Sequence, residues 1–469
     1  MKSTYIDLIQ QNYDFPQAGF DLHEDYLTFN DIDIKQLIQK YGTPFKLTYL
    51  PKISQQIQAM QQLFAQALQK YAYQGQYYFC YCTKCNHFYP IVEEALQQAI
   101  HLETSSAFDI DLIQQLYAKG NIDKDITLLH NGYKTTPYLQ KINELRQQGY
   151  TNSIIILDST QELRRLEQTL EEPTNPIKIG LRMATNQDAK SSYFTSRLGI
   201  PAKDIVPFFE QEIKHNAKVE LQMLHFFVDS GIKKSLYYWQ EFERALELYV
   251  ALKKQSPHLT AFNIGGGFPI QNHLNFEYDY AYMVDEMVRR IQEACTKENI
   301  PVPDIFTEFG KYTVGEAGAI IFEVLEQKQQ NDVEHWYIIN NSLLNTIPDA
   351  WSIHKQFILL PINKWKQPYQ RVNIGGISCD QADYYNSEDF NQEVLLPSYH
   401  QQDQEPLYLG FFHTGAYQDA ISGYGGVKHC LIPSPKHILI TKNAEGKLVD
   451  ALYKAEESVE DMFKILGYT

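Results

Sequence analysis

Between residues 77 and 308 the chain alternates, eight times over, between a short run rich in β-branched and aromatic residues and a longer stretch with helical spacing. The short runs fall at 77–83, 100–104, 126–130, 153–157, 177–183, 219–227, 260–264 and 304–308. Between them lie stretches such as VEEALQQAI, PYLQKINELRQQ and LYYWQEFERALELYVALKK. Strands joined through helices are parallel, because a tight turn can join only antiparallel ones. Eight such units predict an α/β fold, a closed (β/α)8 TIM barrel. An open, doubly wound sheet shares the rhythm and is the runner-up.

Beyond about residue 312 the rhythm stops. Gly, Pro, Asn and Tyr become frequent and the strand-like runs shorten (HWYIIN, QFILLPI, RVNIGG, PLYLGFF, HILIT), which predicts a mostly β second domain. The expected division is an N-terminal segment, 1–44, packing with the C-terminal part; a barrel over 45–312; and a β-rich domain over 313–469. A net charge of −16 argues against nucleic acid and anionic membranes as partners, since both require a basic surface, and suits a small cationic ligand. No apolar run approaches the ~20 residues needed to span a bilayer, and the first residues lack the pattern of a signal peptide, so a cytoplasmic location is expected. Three of the six cysteines cluster at 80, 82 and 85 beside His87. Without a second matching ligand pair the cluster does not make a zinc site, and Cys80 and Cys82 read as small core residues.

In a barrel of this kind the chemistry sits at the C-terminal ends of the strands. The eight predicted ends carry Lys84, Glu103, His130 with Asn131, Asp158, Arg182, His225 with Phe227, the triplet Gly265, Gly266 and Gly267, and Glu308. Lys84 is the most informative of these. It ends the run YYFCYCTK, where period-2 alternation places it on one face with Tyr78, Cys80 and Cys82, and apolar surroundings are expected to lower its pKa. A lysine so placed is an amine nucleophile able to form Schiff bases, although a lysine at a strand end more commonly just leaves the core. Glu103 and Arg182 have the simpler option of pairing with each other. Three glycines after a strand form either a tight turn or a backbone cradle for phosphate. FNIGGGFP is neither the dinucleotide fingerprint nor a P-loop, which leaves another phosphate-bearing cofactor. An amine, a phosphate cradle and a buried carboxylate at Glu308 are together what pyridoxal phosphate requires.

With these residues in view the chain resembles the barrel-type pyridoxal phosphate decarboxylases of basic amino acids, the group containing ornithine, diaminopimelate and biosynthetic arginine decarboxylases. The resemblance runs from YGTPFKLTY at 41–49 through TKCN, LETSSAFDI, HNGYK, TSRLGI, HFFVDSG, NIGGGFP, TEFGKYT and SCDQAD to GAYQD at 415–419. LETSS, NGYK and LLNTIPDAWSIHKQFILLPI look most like the arginine-specific branch. The resemblance implies a barrel of the alanine racemase type with a β-rich C-terminal domain, and pyridoxal 5'-phosphate as cofactor. It implies Lys84 as the Schiff-base lysine, Glu308 as the partner of the pyridine nitrogen, and Ser230, Gly267, Lys311 and Tyr417 around the phosphate. Cys379 is similar to the cysteine that reprotonates the decarboxylated carbon, and Asp380 to the acid that receives the distal cation of the substrate. In that family both act in the other subunit's site, so a homodimer is implied. Asp349 resembles a second acidic contact, with Asp383 close by in sequence; clustered carboxylates suit a guanidinium.

Three positions depart from the family pattern. Phe227 stands where a histidine usually stacks on the cofactor ring, with His225 two residues earlier on the same strand face. Lys311 replaces an arginine, and Asp229 a glycine. The activity implied is decarboxylation of arginine to agmatine, a step of polyamine biosynthesis. Decarboxylation of ornithine, lysine, diaminopimelate or carboxynorspermidine is the near alternative. An amino-acid racemase on the same architecture, or a non-catalytic binder of the cofactor, is the more distant one.

Overall fold

The computed structural model describes residues 17, 19–169, 175–186, 194–228, 231–232, 235–385, 394–398 and 403–468. The chain divides into two units, one made of 54–269 and 278–313, the other of the residues up to 53 with 270–277 and 314–469.

The first unit is a closed parallel barrel. Its strands are β1 (Tyr77–Cys82), β2 (His101–Thr104), β3 (Leu128–His130), β4 (Ser153–Leu157), β5 (Ile177–Ala184), β6 (Val219–Phe226), β7 (Ala261–Asn263) and β8 (Asp304–Glu308). Each pairs in parallel with the next, and β8 closes on β1 through Ile305 opposite Tyr77 and Glu308 opposite Cys80. An open sheet would leave two edges exposed; closure removes both. Cys80, Leu129, Ile154, Ile156, Met223, Ala261 and Phe306, with Tyr78 against them, make one packed cluster inside the ring, so Cys80 is a core residue. The helices α1 (Tyr89–Leu96), α2 (Ala107–Ala118), α3 (Thr136–Gln147), α4 (Thr160–Thr169), α5 (Ala202–Phe208), α6 (Ser235–Lys253) and α7 (Tyr280–Lys297) follow β1 to β7 in turn. Their starts are written locally. Ser106 and Asp109 form a reciprocal capping box on α2, and Asp279 accepts from the Tyr282 N–H at the start of α7. The α7 residues Met283, Val284, Met287, Val288, Ile291 and Cys295 are buried at the three-to-four spacing that makes one apolar face.

The second unit is mostly β. Its long strand Gly318–Gln329 pairs antiparallel with Phe45–Tyr49, His335–Ile339 and Tyr408–Phe412, and Phe45–Tyr49 pairs in parallel with Lys436–Lys442. Phe45–Tyr49, which the sequence pattern alone places at the head of the barrel, is therefore a central strand of the other unit's sheet. It is buried along its whole length, as strands covered on both faces are. A three-stranded antiparallel sheet, Phe20–His23, Tyr26–Phe29 and Ile32–Asp33, contributes Phe20, Leu27, Phe29 and Ile32 to a core shared with Phe45, Leu47, Ile321, Phe412 and Ile438. No helix among the described residues is long and apolar enough to cross a membrane.

Candidate active site

The strand ends of the barrel bring most of the predicted polar residues together, and they pair differently from the simplest reading. β1 stops at Cys82, and Thr83–Cys85 is a 3-10 turn, so the turn rather than strand alternation sets the position of Lys84. Lys84 Nζ lies 3.0 and 2.9 Å from the two carboxylate oxygens of Glu103, at the end of β2. Arg182 pairs instead with Asp158, at 3.8 Å. The expectation of a lowered lysine pKa is corrected by this geometry. Burial does act to lower it, but Glu103, helped by Cys82 and Glu308, outweighs burial and holds the ammonium well above its usual range. The fully buried Glu103 is pushed up by desolvation, with Lys84 opposing that shift. The Lys84 side chain keeps 41% of its surface accessible, so the amine is paired without being sealed in.

Glu308, at the end of β8, is almost completely buried. Its Oε1 accepts from Asn131 Nδ2 at 2.9 Å and from Asn263 Nδ2 at 2.7 Å, while His225 Nε2 stands 3.7 Å from Oε2. Burial alone would raise its pKa; His225, Lys84 and the two amides more than offset that, and the carboxyl is held below its ordinary value. His225 is driven the other way, down to about 4, chiefly by burial, so it is neutral at physiological pH. Asn263, which sequence reasoning missed, also shapes the turn that follows it, because its side-chain oxygen accepts the Gly265 N–H at 2.9 Å. An asparagine two residues before a glycine triplet was the available signal.

The glycine triplet is a close-packed turn. Gly265 and Gly267 have φ of +69° and +98°, a region that side chains disfavour. A Cβ on Gly265 would lie 2.7 Å from the Phe226 carbonyl oxygen, and one on Gly266 would overlap the Glu308 carbonyl. Phe227 packs on the same turn, 3.6 Å from where a Gly267 Cβ would stand, and its ring lies 6.0 Å from the Arg182 guanidinium carbon. Lys311 opens the short helical turn Lys311–Val314 immediately beyond β8. Ser230 and Asp229 lie outside the described residues. Sequence reasoning also missed Lys134, fully buried after β3, which donates to the Gly132 and Ile156 carbonyls and pairs with Glu162 at 3.4 Å. Glu162 in turn accepts the backbone N–H groups of Lys134 and Asp158 and so ties the ends of β3 and β4 together.

The remaining predicted residues belong to the β-rich unit and fall into two kinds. Asp349 and Asp383 are buried and satisfied. Asp349 pairs with Lys355 at 3.1 Å and accepts from Gln418 Nε2 at 2.9 Å. Asp383 Oδ1 accepts from Leu343 N, Ser342 Oγ and Leu344 N, and Oδ2 from Ser378 N. With both oxygens holding the backbone, Asp383 braces a turn against a helix start, and its expected part as a substrate contact is withdrawn. Cys379 and Asp380 are exposed on the turn after the strand Tyr369–Gly375. Tyr417 has a left-handed φ of 72° and caps the helix Gln418–Ser422.

Pyridoxal phosphate can be tested against the barrel residues. Both ring nitrogens of His225, Oδ1 of Asn131 and Nε of Arg182 are buried without a hydrogen-bond partner among the described residues, around an ionised Glu308, an accessible amine and a glycine turn. Such orphaned polar atoms are rare in a finished interior. The residues fit the cofactor. Fold and site together define a pyridoxal phosphate enzyme built on a (β/α)8 barrel with a mostly β second unit.

Residues 51–315 match the family described as pyridoxal-dependent decarboxylase, pyridoxal binding domain, and the chain belongs to that family. It is a pyridoxal phosphate-dependent decarboxylase. The biosynthetic arginine decarboxylase of Prochlorococcus marinus is 21% identical, over 97% of this chain and 88% of that protein. Among solved structures, the biosynthetic arginine decarboxylase of Campylobacter jejuni superposes with a TM-score of 0.77 at 19% identity, covering 96% of this chain and 89% of its own. The diaminopimelate decarboxylase of M. jannaschii superposes with a TM-score of 0.79 at 16% identity, covering 95% and 97%. At these identities the two superpositions speak to the fold.

Proposed function

We propose that this chain decarboxylates a basic amino acid, and that the amino acid is L-arginine, giving agmatine for polyamine biosynthesis. The observation that carries the reading is the whole-chain match to proteins named biosynthetic arginine decarboxylase, from both cyanobacteria and Bacteroides, at 20–21% identity over 92–97% of this chain. The near-equal superposition on a diaminopimelate decarboxylase keeps that substrate in the assay.

Lys84 is the amine that holds the cofactor aldehyde. When bound, the cofactor supplies an electron sink for the pair left on the α-carbon as carbon dioxide departs. Glu308 is held ionised, with Oε1 engaged by two amides, and offers Oε2 to keep a proton on the pyridine nitrogen. The Gly265–Gly267 turn and Lys311 receive the phosphate, with Ser230 and Tyr417 assigned there by the resemblance. Phe227, packed on the glycine turn, takes the stacking position. His225 stays beside Glu308, and its buried neutral ring limits the positive charge there. Glu103 is the counter-ion that positions Lys84, and Arg182 is the cation over Phe227. Cys379 returns a proton to the α-carbon, while Asp380, with Asp349, receives the distal guanidinium.

These last roles rest on the resemblance, which also assigns those of Cys379 and Asp380 to a second copy. In support of a homodimer, Phe108, Tyr133, Phe194 and Leu236 stand exposed on the connections after β2, β3, β5 and β6. Exposed apolar side chains are what a covering chain would bury. We take the setting to be cytoplasmic as part of the same proposal.

The test is carbon dioxide release across arginine, ornithine, lysine, meso-diaminopimelate and carboxynorspermidine. Arginine should give the highest kcat/KM with agmatine as product; a different diamine would overturn the substrate. Racemisation without carbon dioxide would overturn the reaction type. Mixing Lys84→Ala with Cys379→Ala protein should restore activity that neither has alone if the sites are shared.

A further inference from the structure

Of the six cysteines, Cys80, Cys82, Cys85 and Cys295 are buried and only Cys379 and Cys430 are exposed. These two are also the pair that touch, with Sγ atoms 3.3 Å apart although 51 residues separate them in the chain. Cys430 sits at a left-handed φ of 56° in the turn His429–Leu431, a conformation that a non-glycine residue adopts at some cost. His429 Nδ1 lies 3.2 Å from Cys430 Sγ, and His429 Nε2 lies 3.8 Å from Asp380 Oδ2. The order is thus carboxylate, imidazole, thiol, thiol. An imidazole oriented by a carboxylate and in contact with a thiol is the arrangement that takes a thiol's proton. No barrel residue and no step of decarboxylation uses Cys430 or His429.

We propose that Cys379 and Cys430 form an oxidation site, in which Cys430 reacts first with hydrogen peroxide and Cys379 then closes a reversible disulfide. Cys430 Sγ passes its proton to His429 Nδ1 and attacks one peroxide oxygen. An S–O bond forms, the O–O bond breaks, and the departing oxygen takes the proton from His429 and leaves as water. Cys379 Sγ then attacks the oxidised sulfur. The S–S bond forms, the S–O bond breaks, and hydroxide leaves with the Cys379 proton as a second water. Two thiols lose two electrons and two protons, and the peroxide is reduced to two waters. The order follows from the environment: the Cys430 contact raises the pKa of Cys379, which keeps that thiol protonated and less reactive, while His429 serves Cys430. The sulfurs must still close from 3.3 Å to the ~2.05 Å of a bond, a shift within reach of side-chain rotation in two exposed turns. The consequence for activity rests on the reading of Cys379 as the proton donor, since a disulfide removes that proton.

The experiment treats the full-length holoenzyme with hydrogen peroxide and maps disulfides by peptide mass spectrometry under non-reducing conditions. The expected result is a cross-linked 379–430 peptide, two hydrogens lighter than the pair of free peptides, reversed by dithiothreitol and absent in Cys430→Ser. His429→Gln should slow its formation by about tenfold or more, as loss of a proton acceptor does. Recovery of Cys379 as sulfinic acid, or of both thiols unchanged after the buried cysteines have begun to react, would overturn the proposal. Activity is read in parallel. A cross-link accompanied by lost decarboxylation supports both readings, whereas a cross-link with full activity leaves the oxidation site standing and removes Cys379 from the proton transfer.

Discussion

The barrel and the β-rich unit each carry part of the candidate machinery, and they hold it in opposite ways. In the barrel, the charges at the strand ends among the described residues are partnered: Lys84 with Glu103, Arg182 with Asp158, Lys134 with Glu162, and Glu308 with two asparagines. In the β-rich unit the buried acids, Asp349 and Asp383, are held by partners within the fold, while Cys379 and Asp380, the residues given a role by the proposed function, stand exposed. If the proposed roles hold, the contrast separates a site built for binding a fixed group from residues that act on whatever is brought to them. A cofactor is held for the life of the enzyme and rewards preorganisation. On the proposed reading a proton donor and a specificity acid must meet each new substrate, and an exposed carboxylate such as Asp380 keeps its charge without the cost of desolvation.

The sharpest break of that contrast is Lys84→Ala, which should remove the near-visible absorption of bound cofactor and lower decarboxylation by about 10,000-fold, the scale of losing the covalent anchor. Retained turnover would place the anchoring amine elsewhere. Glu308→Gln keeps the shape and takes away the charge; kcat should fall by roughly 100- to 1,000-fold, with the melting temperature little changed. The two regions should also share one pH response. His130 and His225 in the barrel and His437 in the β-rich unit are driven by burial to about 3, 4 and 4 from an ordinary 6.5. Their folded pKa values are depressed, so the unfolded chain binds more protons below pH 6.5 and stability falls as pH drops from there towards 4. The loss is about 3 kcal/mol for each ring, observable as a falling urea midpoint. His437→Phe, where tolerated, should flatten that slope, and an unchanged slope would show that the ring is not buried neutral.

Smaller effects separate the acids. Asp383→Asn leaves backbone donors poorly matched and should cost about 1–3 kcal/mol of stability in urea unfolding. Asp380→Asn, on an exposed turn, should stay within about 0.5 kcal/mol in the same measurement while raising KM for arginine. If instead Asp380→Asn unfolds the protein and Asp383→Asn changes KM, the division between structural and substrate-facing acids is reversed.

Much of the barrel was legible because its signal is periodic. The predicted runs at 153–157 and 304–308 are the observed β4 and β8, and the others differ at their ends by at most two residues. Run 77–83 overreached by one residue, since a 3-10 turn at Thr83–Cys85 uses the same residue types as a strand end. Phe45–Tyr49 was misplaced because a short apolar strand carries no mark of which sheet it joins; here its partners begin at Gly318 in one neighbouring strand and Lys436 in the other, far along the chain. The site was legible as a set of residue types at strand ends and illegible as pairings. Glu103 met Lys84 rather than Arg182, and this contact, the largest of those opposing burial, reversed the expected direction of the lysine's pKa. Asn263 and Lys134 went unread because an amide and a buried lysine acquire meaning only from what surrounds them.

By itself, then, the sequence determined the eightfold rhythm, the residues at each strand end, a glycine triplet after the seventh strand, and through its ordered motifs the family. Those features are local, set by spacing, propensity and sterics within a few residues. The tertiary structure alone decided which carboxylate faces which amine, that Asp383 holds backbone while Asp380 stays in water, and that Cys379 meets Cys430. Electrostatic and thiol chemistry depend on distances of 3 to 4 Å between residues far apart in the chain, and only the closed fold sets those distances.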